Sequence, residues 1–96
     1  MRLTWTRTAF QDLKHLHDYI ADDNPDAARK IVSRIREAAS HLRRNPRIGR
    51  AGRVPETREL VIAGTLYIVV YRIEGQQVQI VAVLHGAQRW PDSFAE

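Results

Sequence analysis

Three apolar runs between Arg58 and Gly86 constrain the fold more than any other part of the chain. The runs are rich in β-branched and aromatic residues, which favour strands, and only short glycine-containing segments separate them. Gly64 and Gly75 lie where tight turns need a positive φ, so each is expected to open a two-residue hairpin loop. This stretch therefore predicts a three-stranded antiparallel meander.

The two short loops set the register of the meander and hence its two faces. Arg58 then pairs with Tyr71, and Tyr71 with Ile80. Because side chains alternate along a strand, one face forms the core and holds Leu60, Ile62, Tyr67, Val69, Tyr71, Ile73, Val78, Ile80, Ala82 and Leu84. The opposite face, which we name the second face, holds Val61, Ala63, Leu66, Ile68, Val70, Val81 and Val83, rimmed by Glu59, Arg72, Gln79 and His85. Since a solvated sheet face is normally more polar than this, we expect the second face to contact a partner.

Two helices are predicted before the meander. A strand over residues 2–5 comes first, and Thr8 with Gln11 then resembles a capping box that opens a helix over about residues 9–22. Asn24-Pro25 ends that helix and caps the next, whose apolar residues recur every three or four positions. The expected fold class is α+β: an N-terminal strand, then an antiparallel helix hairpin packed on one face of an antiparallel sheet with a three-stranded C-terminal meander.

The composition predicts one soluble domain over residues 1–96 with no metal or cofactor. A chain of this length has room for a single modest core. There is no cysteine, and the four histidines are scattered without the paired spacing of metal ligands. No apolar run approaches the ~20 residues of a membrane span, so the chain fits a cytoplasmic location.

Positive charge is concentrated in the middle of the chain. Residues 29–58 carry ten of the fifteen basic side chains and only two of the eleven acidic ones. Within them, the loop NPRIGRAGR has Arg47, Arg50 and Arg53 at every third position, and Gly49 and Gly52 allow close approach of the backbone to a partner. Arginine pairs bidentately with phosphate and carboxylate. The loop is therefore a candidate surface for nucleic acid or an acidic protein segment, although solvated arginines are the commoner finding.

Several strings along the chain resemble the RelE/ParE superfamily of toxins from bacterial type II toxin-antitoxin modules. They are AxxDLxxLxxYIAxDNPxAA across both helices, NPRIGRAGR in the loop, RELVIAG and YIVVYRI in the meander, and VLHGAQRWP at its exit. The resemblance covers nearly the whole chain and implies the same fold as the periodicity. It also implies a small cytoplasmic growth inhibitor that a cognate antitoxin neutralises in a hetero-oligomeric complex.

The resemblance allows two mechanisms, because RelE-like members cut mRNA in the ribosome without a metal and ParE-like members inhibit DNA gyrase. Metal-free RNA cleavage needs a base, an acid and positive charge beside the phosphorane. The positions where RelE-like members place these groups correspond here to Glu59, Val61, Ile68, Gln88 and Phe94, and none of them can do that work. Inhibition of gyrase by binding is therefore the leading prediction.

The alternatives are a ribosome-dependent ribonuclease and a simple nucleic-acid-binding module. A ribonuclease would use His85 as general base, since the unperturbed pKa of a histidine side chain lies near neutrality, together with Arg58, Arg72 and the loop arginines. Sheet-edge packing is the commoner role for such a histidine. A nucleic-acid-binding module would explain the arginines but leave the apolar second face without a role.

The candidate binding residues form two groups. Target or nucleic-acid contacts are assigned to Arg47, Arg50, Arg53, Arg89 and Trp90. Antitoxin contacts are assigned to the apolar second face, where an amphipathic helix or added strand would cover Val61, Leu66, Ile68, Val70, Val81 and Val83.

Overall fold

The chain starts with a strand, continues through a helix hairpin and ends in a meander, as predicted. A computed structural model describes residues 1–94. In chain order its elements are β1 (Arg2–Trp5), α1 (Arg7–Ala21), α2 (Pro25–Ser40), a 3₁₀ turn (His41–Arg43), β2 (Arg50–Ala51), β3 (Arg58–Val61), β4 (Tyr67–Glu74) and β5 (Gln77–His85).

All five strands belong to one sheet in the order β1-β5-β4-β3-β2. The meander β3-β4-β5 is antiparallel, with Arg58 opposite Tyr71 and Tyr71 opposite Ile80 as predicted. β1 joins the sheet parallel to β5. β2 pairs antiparallel with β3 inside the segment predicted as loop, so that segment extends the sheet by one short edge strand.

The start of α1 differs from the prediction. Thr6, not Thr8, is the N-cap: its hydroxyl accepts a hydrogen bond from the Ala9 N–H at 3.1 Å. The helix therefore begins at Arg7, and Phe10 in its first turn is 63% exposed. The predicted cap of α2 is confirmed, since Asn24 accepts the Ala27 N–H at 3.0 Å and Pro25 is the first helical residue.

The main core lies between the two helices and one face of the sheet, which we name the helix side. Its fully buried members include Ile35 from α2, Val69 and Tyr71 from β4, and Val78 and Ile80 from β5. The helices thus cover only one side of the sheet. The second face is left to other parts of the chain.

Candidate functional site on the second sheet face

The second face is largely covered by the C-terminal segment, residues 86–94, which we name the tail. Trp90 and Phe94 pack against a buried aliphatic cluster on this face: Ile68, Val70, Val81, Ala82 and Leu84. The prediction that the middle of this face is open to a partner is therefore wrong. Its margin is open, because Val61 is 49% and Leu66 is 69% exposed.

A β-bulge in β5 shifts the predicted side-chain alternation. Val70 pairs with Ala82, whereas the next residue of β4, Tyr71, pairs with Ile80. Val81 is thus the extra residue, and from this point the side chains of β5 alternate one residue out of step with the prediction.

The shift moves four residues to the face opposite the predicted one. Ala82 and Leu84, predicted in the core, lie on the second face. Val83, predicted to contact an antitoxin on the second face, is buried in the core on the helix side. His85 lies opposite Tyr67 and packs edge-on against its ring, with centroids 5.5 Å apart. His85 is therefore also on the helix side and not on the rim of the second face.

A buried carboxylate, Glu59, organises the opposite edge of the second face. Glu59 is 3% exposed, and its Oε1 accepts hydrogen bonds from Arg50 Nε and Nη2 at 3.2 and 2.9 Å. Its Oε2 accepts the Arg53 backbone N–H at 2.8 Å and pairs with Arg53 Nε at 3.4 Å. Burial raises the pKa of Glu59, but these hydrogen bonds and the two guanidinium charges outweigh burial and hold the pKa below its usual value.

Arg53 joins the Glu59 pair to the tail. Its guanidinium carbon lies 3.6 Å from the centroid of the Trp90 ring, within the range of a cation–π contact. The Trp90 Nε1 donates to the His85 carbonyl at 3.3 Å. Glu59, Arg53 and Trp90 thus form a chain of contacts that holds the tail over the sheet.

The loop glycines serve contacts within the chain. The Gly49 N–H donates to the Tyr71 hydroxyl at 2.9 Å, and that hydroxyl donates to the Pro46 carbonyl at 2.7 Å. A Cβ at Gly49 would lie 2.7 Å from the Tyr71 oxygen, so only glycine fits there. Of the three loop arginines, only Arg47 has no ion pair within residues 1–94. Nucleic-acid contact by this loop stays a prediction.

Arg58 and Arg72, two of the arginines of the ribonuclease hypothesis, are already hydrogen-bonded within the chain. Arg72 Nε bonds Gln79 Oε1 at 2.7 Å and pairs with Glu74 at 2.9 Å. Arg58 donates to the carbonyls of Gly49 and Arg47 at 3.1 and 3.0 Å. Both side chains therefore stabilise contacts within the chain.

The fold also keeps the three candidate catalytic residues apart. Arg58 lies opposite Tyr71 and His85 opposite Tyr67. These partners are four residues apart on β4, or about 13 Å at the usual rise per residue. Arg72 follows Tyr71 and so faces away from both. A shared active site built from these three side chains is not formed, and the catalytic role of each stays a prediction.

Within residues 1–94, no group of three or more His, Asp or Glu side chains is placed to hold a metal ion. No helix of the described chain has the length and apolar character needed to cross a bilayer. The site is thus an apolar sheet face with paired charges at its edge.

Two features escaped the sequence reasoning although the sequence carries a signal for each. The run Val81 to Leu84 is apolar without alternation, which is consistent with a bulge. Trp90 and Phe94 are large apolar residues in a segment outside the predicted helices and strands. Residues of this kind are usually buried, which indicates that the segment packs against the rest of the chain.

The pattern of the ParE toxin family of type II toxin-antitoxin systems matches residues 3–90, nearly all of the described chain. The chain belongs to the ParE toxin family. It is a toxin of a type II toxin-antitoxin system, and the RelE/ParE resemblance seen in the sequence is confirmed.

Two relatives match this ParE-family toxin over most of their length. Y4kP of Sinorhizobium fredii, itself a toxin by inference, is 44% identical over 90 residues, which cover 94% of this chain and 93% of that protein. Toxin RelE2 of Caulobacter vibrioides is 33% identical over 87 residues, covering 91% and 97%. The relatives thus carry both a general toxin name and a RelE name.

Two solved structures resemble this ParE-family toxin. A chain of the chromosomal ParDE toxin-antitoxin system from P. aeruginosa has a TM-score of 0.80 and 32% identity, covering 88% of this chain and 95% of that one. A chain of the RelBE2 toxin-antitoxin complex from Mycobacterium tuberculosis has a TM-score of 0.64 and 29% identity, covering 91% and 92%. Both likenesses agree with the α+β fold.

Proposed function

We propose that this toxin inhibits DNA gyrase by binding and does not cut RNA. The burial of the Glu59 carboxylate is the observation that carries the proposal. It places a buried negative charge on the second face, at a position where the RelE resemblance expects a cation. An anion there repels a phosphate and would oppose the charge that develops in RNA cleavage.

Three of the surrounding arginines support the same proposal, because each is engaged in an ion pair. Arg50 and Arg53 pair with Glu59, and Arg72 pairs with Glu74. Freeing one of these guanidinium groups for a phosphate would break an existing ion pair. The second face is better suited to protein contact than to phosphoryl chemistry.

A gyrase supercoiling assay tests this proposal. Free toxin is added to purified gyrase, ATP and relaxed plasmid, and the plasmid topology is followed on a gel. Supercoiling should fall as toxin rises, and toxin mixed first with its antitoxin should have no effect. Full supercoiling at a large excess of free toxin would contradict the proposal.

Ribosome-dependent RNA cleavage is the second candidate, and two observations favour it. RelE2 and RelBE2 are among the proteins this chain resembles. In addition, the Ala87 N–H donates to His85 Nδ1 at 3.0 Å, and this hydrogen bond orients the imidazole ring. A side chain able to move a proton is thus held in place, but Arg50, Arg53 and Arg72 are engaged in ion pairs elsewhere.

We also propose that a cognate antitoxin covers the open margin of the second face. The ParDE and RelBE2 neighbours are toxin-antitoxin systems. Val61 and Leu66 are large apolar side chains left exposed beside the covered cluster. An antitoxin helix or strand placed there would continue the apolar packing that the tail begins.

Substitution to aspartate at this margin tests whether the antitoxin binds there. Val61→Asp and Leu66→Asp should each raise the antitoxin Kd about 30- to 100-fold, because a charge is buried without a partner. Phe10→Asp is the matched control, since Phe10 is 63% exposed, between the values of Val61 and Leu66, but lies on α1. Isothermal titration calorimetry measures all three. Unchanged affinity for both margin variants would place the antitoxin elsewhere.

A further inference from the structure

A cleft lies between α1 and the open end of the β4-β5 hairpin, and of the candidate catalytic residues described so far only His85 lines it. Its volume is about 470 Å³, and it is lined by Asp12, His15 and Tyr19 from α1, Tyr67 from β4, and His85 from β5. The three α1 residues are spaced i, i+3 and i+7, so they share one helix face. The cleft therefore gathers a carboxylate and four polar rings at one place on the surface.

The Asp12 carboxylate is half-buried and lacks a strong counter-charge. Its Oδ2 accepts the Val83 backbone N–H at 3.0 Å. The pKa of Asp12 is raised above its usual value. Burial is the cause, and it outweighs the Val83 hydrogen bond and nearby His15, which both lower the pKa. Within residues 1–94 no lysine or arginine pairs with Asp12 or lines the cleft. A partly desolvated carboxylate of this kind is stabilised by a cation brought from outside.

The rings around Asp12 present the electron-rich surfaces that cations favour. Tyr67 and His85 meet edge to face, at 88°. Burial and the neighbouring Tyr19 both raise the pKa of Tyr67, so its hydroxyl stays neutral near pH 7. Tyr19 is 78% exposed, so its ring is accessible to a group that enters the cleft from solvent.

We propose that this cleft binds one cationic side chain, arginine or lysine, presented by a partner protein. Tyrosine faces attract a guanidinium or ammonium group, and the Asp12 carboxylate supplies the opposite charge. A nucleotide fits less well, because its phosphate would approach Asp12 with no lysine or arginine in the cleft to receive it. The cleft can bind such a side chain whether or not gyrase is the target.

Titration with acetyl-arginine amide, followed by NMR of the ¹⁵N-labelled toxin, tests the site. Amide signals along the cleft should shift with a Kd of about 1–10 mM, the range of a single side chain. Acetyl-citrulline amide, which has nearly the same shape without the charge, should shift them at least tenfold more weakly. Equal shifts from both compounds, or no cleft shifts at about 50 mM arginine compound, would overturn the proposal.

Matched variants distinguish binding in this cleft from nonspecific attraction to charges elsewhere on the surface. Asp12→Asn keeps an oxygen for the Val83 N–H but removes the charge, and should weaken binding about tenfold. Tyr19→Leu, at an exposed position, should weaken it about two- to fivefold. Asp18→Asn, on the same helix outside the cleft, should leave it unchanged. An Asp12→Asn variant that is folded and binds as tightly as wild type would contradict the role of the carboxylate.

Two further titrations identify the occupant. If the cleft signals of the toxin-antitoxin complex no longer respond to the arginine compound, the antitoxin supplies the side chain. If they respond as in the free toxin, the cleft is open for the target. A single-stranded oligonucleotide that shifts the same signals of the free toxin more strongly than the arginine compound would replace the proposal with a nucleic-acid site.

Discussion

At the scale of single residues, Glu59 does most to define the second face. It is buried, it binds Arg50 and Arg53, and through Arg53 it is linked to Trp90. The two arginines are 57% and 46% exposed, so water screens each pair and the energy of each is modest. The network as a whole fixes both the loop and the tail.

Glu59→Gln should lower the free energy of unfolding by about 1–2 kcal/mol, because the amide keeps the shape but loses both ion pairs and one acceptor. Chemical denaturation measures the change. Glu74→Gln is the matched control, since Glu74 pairs with Arg72 but is 61% exposed, and it should cost less than about 0.5 kcal/mol. Equal costs for the two variants would mean that the Glu59 network adds nothing to stability.

The lowered pKa of Glu59 also predicts acid sensitivity. The stabilisation is fully present above the pKa of the unfolded chain, near 4.5, and is lost as pH falls through the lower pKa of the folded chain. Wild type should therefore lose more stability than Glu59→Gln between about pH 5 and pH 3. Parallel stability curves for the two proteins over this range would contradict the assigned charge state.

At the scale of elements, the tail acts as a cover for the sheet. The helices occupy the other face, so Trp90 and Phe94 shield a cluster that includes Val70 and Val81. Ile68 is only 6% exposed beneath this cover. A charge at Ile68 would therefore disturb folding, and the exposed margin is the place to test partner binding.

Removing the cover should expose the sheet without unfolding it. Trp90→Ala and Phe94→Ala should each destabilise the protein by about 1–2 kcal/mol, because both side chains are half-buried. Amide hydrogen exchange should rise in the first half of β4 and the second half of β5, where the covered cluster lies. Arg89→Ala, at an exposed tail position, is the control and should change neither quantity. Unchanged exchange in both tail variants would mean that the tail does not shield the face.

At the scale of the whole molecule, the hairpin registers were predictable because Gly64 and Gly75 fix the turns and both have positive φ. The helix hairpin followed from the Asn24-Pro25 cap and the apolar spacing. The bulge was not predicted, since a continuous apolar run leaves the alternation of Val81 to Leu84 undetermined. The one extra residue of the bulge, Val81, places Val83 and His85 on the helix side.

The site was less predictable than the fold because it depends on contacts distant in sequence. The absence of catalytic cations at Glu59 and Ile68 could be read from the residues. The sequence did not predict that Arg50 and Arg53 both pair with Glu59. It also did not predict that the tail packs over Val70. Nor did the apolar spacing of α1 reveal the cleft, because Asp12, His15 and Tyr19 are polar residues on a partly exposed helix face.

A coupled transcription–translation extract containing a supercoiled reporter plasmid and active gyrase tests the central claim most directly. After addition of free toxin, plasmid topology and transcript length are read from the same sample, with antitoxin-saturated toxin as the control. We predict that the plasmid relaxes while transcripts stay intact. Transcripts cut only when ribosomes are present, on a plasmid that keeps its supercoiling, would contradict the account and identify the toxin as a ribonuclease.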